Sequence, residues 1–208
     1  MKVILCYGDS NTHGTCPLPA PGVDLRHPPG DRWPDVLSAA LGPGHQVISE
    51  GLPGRTTVHD DMVEGGMRNG IAVLPAILHS HKPIDLMLLM LGTNDLKSRF
   101  SVSAWEIARS VEHMTLAARA EGVVRDILLI APPPVRETGS LREVFAGAEA
   151  QQKGLEGHLE MAAERLGCGF LRAGDYVTVS DEDGVHWSAA AHHDFGAVLA
   201  PLVSGRLG

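Results

Sequence analysis

The chain has 208 residues, of which 44% are hydrophobic and 20% charged, and its net charge is −8. This composition predicts one globular domain, residues 1–208, and an acidic chain without a basic block excludes nucleic acid and anionic membranes as partners. The three cysteines exclude a disulfide framework, and the apolar run before the first polar turn is too short for a signal peptide, so we expect a cytoplasmic protein.

The first half of the chain alternates apolar runs with helical patterns. Residues 2–7 form a partly β-branched run that predicts a buried strand. Residues 15–32 hold five prolines and predict a long loop, a kind of segment that is often functional. Residues 33–41 predict a short helix, and residues 46–50 a second strand. Each predicted strand ends in a glycine-rich or polar turn.

The middle of the chain continues this alternation. Residues 68–79 predict a helix that Pro75 bends or splits. The continuous apolar run of residues 84–91 is typical of a central parallel strand. Ser103 is followed by Glu106 three positions later, which is the spacing of a capping box and predicts a helix start. This helix is expected to extend to residue 121.

Residues 126–131 predict a fourth strand, and residues 155–166 carry the apolar face of a helix. Residues 169–172 predict a fifth strand, and a last helix is expected over 188–207. Five strands that alternate with helices imply an α/β fold, in which a parallel sheet has helices on both faces.

Ser10 stands just after the first strand, in a run of polar residues that favours a turn and a helix start. In open α/β sheets ligands bind at the carboxyl edge of the strands, and a helix N-terminus favours negative charge. Ser10 is therefore a candidate nucleophile, although a serine in this position alone is more often a plain helix N-cap.

A serine hydroxyl needs a base, and the segment from Asp183 to His186 can supply one. With the aspartate three residues before the histidine, its carboxylate can bond the imidazole Nδ1 and leave Nε2 to face Ser10. The N–H groups of Gly54 and Ser10 and the carboxamide of Asn94 are candidate donors to an oxyanion.

Four blocks occur in a characteristic order: Gly8-Asp9-Ser10, a glycine after the second strand, Gly92-x-Asn94-Asp95, and Asp183-x-x-His186. Together they resemble the blocks of the SGNH hydrolases, also called GDSL-type esterases. The resemblance is greatest to the branch of small arylesterases, acetyl esterases and acyltransferases, on the stretches 50–57, 90–95, 132–134 and 183–186.

This resemblance implies a flavodoxin-like three-layer α/β/α sandwich with a five-stranded parallel sheet. It implies Ser10 as the nucleophile with Asp183 and His186 as its partners, and Ser10, Gly54 and Asn94 as the oxyanion hole. It implies neither a metal nor an organic cofactor, and it suggests a homo-oligomer, since relatives in this branch often assemble into closed oligomers.

Two residues near Ser10 depart from the usual pattern. Asn11 replaces a leucine, and His13 replaces the aromatic residue that close relatives often carry, so both are candidate substrate-binding residues. Arg55 either orders the turn after the second strand or orients a substrate. We expect His192 and His193 to be solvated side chains and not metal ligands.

The predicted function is a serine esterase that hydrolyses or transfers short acyl groups, above all acetyl, from small aryl, alkyl or sugar esters. One alternative is a thioesterase or lysophospholipase on the same fold, which needs a deep apolar groove. Another is a carbohydrate-binding protein that has lost catalysis. Every expected catalytic position is filled, which argues against this alternative.

Overall fold

The computed structural model describes all residues from 1 to 208 and contains one five-stranded parallel sheet. Its strands are β1 (Lys2–Gly8), β2 (His45–Gly51), β3 (Leu86–Met90), β4 (Ile127–Ala131) and β5 (Gly169–Arg172). They lie in the order β2-β1-β3-β4-β5, which is the order of flavodoxin-like sheets. The strand order reverses between β1 and β3, because the chain crosses to β2 on one side of β1 and to β3 on the other. A crevice opens at this point, at the carboxyl edge of the sheet.

Helices cover both faces of this sheet. They are α1 (Ser10–His13), α2 (Trp33–Leu41), α3 (Gly70–His81), α4 (Ala104–Ala120), α5 (Ala148–Gln151), α6 (Leu155–Leu166) and α7 (Ala189–Leu207). On one face α2 packs against α7, and on the other α4 packs against α3 and α6. None of these helices combines the length and the apolar composition that crossing a bilayer requires.

Successive residues of β1 belong to two separate hydrophobic cores. Ile4 and Cys6 pack in the core beneath α2 and α7, whereas Leu5 and Tyr7 pack in the core beneath α3, α4 and α6. All four side chains are fully buried. This alternation explains why β1, β3 and β4 are continuously apolar, because both faces of the sheet are covered there. The result is the three-layer α/β/α sandwich that the sequence predicted.

The predicted elements agree with the observed bounds to within two residues at each end. The capping box at α4 is confirmed, since the Ser103 hydroxyl accepts from the Glu106 N–H and the Glu106 carboxylate accepts from the Ser103 N–H at 2.8 Å. Pro75 does not split α3, which continues to His81. The helix start expected at Ser10 is the first residue of α1. Apolar periodicity does not predict the length of α1 or the position of α5, because their four residues are too few to show a period.

The contact between α2 and α7 depends on a glycine, and this predicts opposite effects for two glycine substitutions in α7. A Cβ built on Gly196 would lie 2.7 Å from the Val36 Cβ and 2.8 Å from the Trp33 carbonyl oxygen, whereas a Cβ on Gly205 would meet nothing within 4 Å. We expect Gly196→Ala to lower the free energy of unfolding by about 1–3 kcal/mol through overpacking. Gly205→Ala should raise it by up to about 1 kcal/mol through helix propensity.

Urea denaturation of both variants beside the parent measures these changes. Equal changes in the two variants, in either direction, would contradict close packing of α7 against α2.

Candidate active site

Ser10 is the first residue of α1 and is separated from the end of β1 by Asp9 alone. The N-cap of this helix is Asp9, whose carboxylate accepts a hydrogen bond from the Asn11 N–H at 3.0 Å. Ser10 is therefore not the capping residue, which removes the plainest structural explanation for a serine at this position. Its side chain is largely buried and lines a cavity at the carboxyl edge of the sheet.

Asp183 and His186 are in direct contact. Oδ2 of Asp183 lies 2.6 Å from Nδ1 of His186, and its Oδ1 accepts from the N–H groups of Val185 and His186, both at 2.9 Å. Burial works to raise the pKa of Asp183, but the hydrogen bonds from the His186 ring and from the backbone outweigh it and hold that pKa below its ordinary value. The ionised carboxylate fixes the imidazole with Nε2 directed away from it.

The long loop of residues 15–32 reaches this pair through its backbone. The Leu18 N–H donates to Oδ2 of Asp183 at 2.7 Å, and the Ser140 hydroxyl donates to the Leu18 carbonyl. Leu18 also lines the cavity. The loop therefore holds the carboxylate and forms part of the cavity wall. The sequence marked this loop as functional by its length, but no side-chain pattern could single out a backbone donor.

Gly54 and Asn94 present hydrogen-bond donors to the same cavity. Gly54 has a φ of 79°, a left-handed conformation that favours glycine, and its N–H makes no hydrogen bond to another residue. The Asn94 carboxamide donates one hydrogen bond to the Arg55 carbonyl at 3.1 Å and keeps its second N–H for another acceptor. The site thus offers the donor types that an oxyanion requires.

Buried hydrogen bonds connect the loops that carry these donors. The Asp95 carboxylate accepts from the backbone N–H of Thr57 at 3.0 Å and from the Thr57 hydroxyl. The loop after β2 is thereby joined to the loop after β3. Burial raises the pKa of Asp95, and the hydrogen bonds from Thr57 compensate part of that cost.

One cavity of about 670 Å³ brings the candidate residues together, since Ser10, Gly54, Asn94 and His186 all line it. Apolar side chains form much of the remaining lining, including Leu18, Val23, Leu52, Leu141, Val144 and Phe145. The His186 ring is hydrogen-bonded to Asp183, and the structure shows no hydrogen bond from the Ser10 hydroxyl to this ring. In catalytic sites without substrate such hydrogen bonds are often long, and they tighten when substrate binds.

The three side chains that we expected to bind substrate do not line the cavity. Asn11 is buried and donates from Nδ2 to the Val185 carbonyl at 3.1 Å. Arg55 is buried over the Tyr7 ring and donates to the Gly8 carbonyl at 2.9 Å, so of its two predicted roles the structure shows the ordering of the turn. His13 is the last residue of α1, where it is half-buried and its backbone lies against Gly51 of β2.

The sequence did not predict a charged cluster at the cavity. Glu64, Arg68, Lys97 and Arg99 line the cavity, and the buried Asp61 pairs with Lys97 and Arg99. The members of this cluster come from two separate loops, after β2 and after β3, and only folding brings them together. Alternating charges in loops carry no period from which such a contact can be predicted.

One expectation about histidines was wrong. His192 is not solvated but fully buried, between the rings of His27 and Trp187, and burial lowers its pKa to about 3. His193 is exposed and pairs with Asp31 at 3.0 Å. No group of three or more histidine, cysteine or acidic side chains is arranged to hold a metal ion.

Residues 6–193 match the family model of the GDSL-like lipase/acylhydrolase family. The structure is similar to that of an aryl esterase from M. smegmatis, with a TM-score of 0.94, 33% identity and 99% of both chains covered. It is also similar to a carbohydrate acetylesterase from Sinorhizobium meliloti, with a TM-score of 0.93, 34% identity and 99% of both chains covered.

A carbohydrate acetylesterase family member from the same organism has a TM-score of 0.92 and 38% identity over 100% of both chains. No curated protein sequence matches the chain.

The Asp9 carboxyl group predicts a measurable dependence of stability on pH. Burial raises the pKa of Asp9 to about 6, although the hydrogen bond from Asn11 and the nearby His186 act to lower it. The folded protein therefore holds this proton more tightly than the unfolded chain does. Stability from this group is complete below about pH 4 and is lost as the pH rises through about 6.

Asp9→Asn keeps an oxygen that can cap α1 but removes the charge. We expect its free energy of unfolding, relative to the parent, to rise by about 1–3 kcal/mol between pH 4 and pH 7. Urea denaturation at several pH values measures this difference. A difference that is constant over this pH range would contradict the raised pKa of Asp9.

Proposed function

Because the chain belongs to the GDSL-like lipase/acylhydrolase family, we propose that it is a serine esterase that removes short acyl groups from small aryl, alkyl or sugar esters. The observation that carries this proposal is one cavity lined by Ser10, Gly54, Asn94 and His186, with the Asp183 carboxylate 2.6 Å from the imidazole. The similar aryl esterase and carbohydrate acetylesterases make acetyl esters the first choice of substrate.

In the first half of the reaction, Oγ of Ser10 attacks the ester carbonyl carbon while Nε2 of His186 accepts the hydroxyl proton. The ionised Asp183 stabilises the imidazolium that forms. The carbonyl electron pair moves to its oxygen, and this oxyanion accepts hydrogen bonds from the N–H groups of Ser10 and Gly54 and from the Asn94 carboxamide. The bond to the alcohol oxygen then breaks, and His186 donates its proton to the departing alkoxide.

In the second half, His186 takes a proton from a water molecule, whose oxygen attacks the acyl group on Ser10. The same donors hold the second oxyanion. The bond from the acyl carbon to Oγ breaks, His186 returns a proton to Oγ, and the carboxylic acid leaves. An acceptor alcohol in place of water would make the same enzyme an acyltransferase.

The wider organisation of the protein belongs to the same proposal. Residues 1–208 act as one catalytic domain, as the single sheet and the match over residues 6–193 suggest. A cytoplasmic location agrees with three free cysteines. A homo-oligomer agrees with the strongly exposed Met62, Val63 and Met67, and light scattering measures its mass directly.

Substitution of the nucleophile tests the proposed reaction. We expect Ser10→Ala to reduce kcat for p-nitrophenyl acetate by at least about 10³-fold, because no other group can form the acyl-enzyme. The circular dichroism spectrum and Tm should remain those of the parent. Ser204→Ala, on the exposed side of α7, is the matched control and should keep full activity. Turnover by Ser10→Ala close to that of the parent would reject the proposal.

The charged cluster in the cavity wall predicts a preference for short acyl chains. A long alkyl chain that reached Glu64, Arg68 and Arg99 would remove water from these charges without replacing their hydration. We expect kcat/KM for p-nitrophenyl esters to fall at least about tenfold from acetyl to dodecanoyl. Faster cleavage of the dodecanoyl ester would instead favour the thioesterase or lysophospholipase alternative.

A further inference from the structure

Three cationic side chains, Arg68, Lys97 and Arg99, line the cavity that contains Ser10. The chain as a whole has a net charge of −8, so these cations are not part of a generally basic surface. The proposed reaction does not use them. Cations grouped inside a cleft attract anionic ligands, because the surrounding low-dielectric walls focus their field.

Two of these cations are neutralised inside the protein. Nζ of Lys97 lies 3.1 Å from Oδ2 of Asp61 and 2.7 Å from Oε2 of Glu64. Nη1 of Arg99 lies 2.8 Å and 2.9 Å from the two oxygens of Asp61. The side chains of Lys97 and Asp61 are only 3% and 0% exposed, so this ion-pair network is a fixed part of the wall.

Arg68 differs from the other two because no carboxylate pairs with it. Its Nη1 donates to the Met67 carbonyl at 3.3 Å and its Nη2 to the Glu64 carbonyl at 3.1 Å. These bonds hold the guanidinium plane in place and leave other N–H donors unused. Its Nε is buried and makes no hydrogen bond.

The Arg68 guanidinium stands beside the candidate oxyanion hole. A Cβ built on Gly54 would lie 3.1 Å from Nε of Arg68. Oε2 of Glu64 is equally close to this point, but its charge is balanced by Lys97. Asp24, the remaining carboxylate of the lining, has Arg26 as a neighbour of opposite charge. The unbalanced charge next to the reacting ester is therefore positive.

We propose that this enzyme selects esters that carry a carboxylate group, and that the Arg68 guanidinium binds this carboxylate. The inference rests on the proposed esterase function, because it concerns the same cavity. A guanidinium matches the planar geometry of a carboxylate and forms charge-assisted hydrogen bonds with it. Since Arg68 adjoins Gly54, the bound carboxylate lies a few bonds from the ester, on its alcohol side or its acyl side.

Matched pairs of esters test this selectivity. On the alcohol side, m-acetoxybenzoate is compared with m-acetoxybenzamide, which has the same size but no charge. On the acyl side, the mono-p-nitrophenyl ester of adipic acid is compared with its terminal amide. In at least one pair we expect kcat/KM to favour the carboxylate by about tenfold, through a lower KM. The preference should shrink in 1 M NaCl, where the screening length is about 3 Å.

Variants of Arg68 identify the group responsible. Arg68→Gln should abolish the preference, lowering kcat/KM for the carboxylate far more than for the neutral amide, because only the carboxylate loses its charge-assisted hydrogen bonds. Arg68→Lys should retain part of the preference, because the charge remains without the planar fork. Arg125→Gln removes an exposed cation at the opposite edge of the sheet and should keep the full preference.

Two results would overturn the inference while the esterase function stands. One is equal hydrolysis of both members of each pair by the parent enzyme. The other is that Arg68→Gln slows the charged and neutral esters equally, which would assign Arg68 to the oxyanion or to the loop structure. If Ser10-dependent hydrolysis of every ester is absent, the proposed function itself fails, and the inference fails with it.

Discussion

The Asp183 carboxylate is the constraint on which the candidate site depends. It is fully buried and accepts four hydrogen bonds, from the His186 ring and from the N–H groups of Leu18, Val185 and His186. A buried carboxylate without these partners would be strongly destabilising. Their formation therefore fixes three things together: the position of the loop before α7, the path of the loop after α1, and the orientation of the imidazole.

The opposite side of the cavity is held in a comparable way. The Arg55 side chain donates to the carbonyl of Gly8, the last residue of β1, and the Arg55 carbonyl accepts from the Asn94 carboxamide. The Asp95 carboxylate accepts from the backbone N–H and the hydroxyl of Thr57. The loops after β1, β2 and β3 are thus connected by buried polar contacts at the point where the sheet changes its winding direction. Such contacts position the candidate oxyanion donors in advance, so that little reorganisation is needed when negative charge develops.

Apolar periodicity predicted the strands and the long helices, and the four blocks around Ser10, Gly54, Asn94 and His186 indicated candidate site residues, because both are local signals. The sequence could not predict which polar side chains near Ser10 face the cavity. Asn11 and Arg55 turn inward to backbone carbonyls, and nothing in a local pattern distinguishes that from contact with substrate. The pairing of Lys97 with Asp61 joins residues 36 positions apart, and only the tertiary fold brings them together.

The central claim is that His186, held by Asp183, activates the Ser10 hydroxyl. Mass spectrometry of the protein treated with a fluorophosphonate probe tests it most directly. We expect one probe per chain, attached to Ser10, and a labelling rate at least about 10²-fold lower in His186→Gln, because the hydroxyl loses its general base. Attachment to a different residue, no attachment, or an unchanged rate in His186→Gln would contradict it.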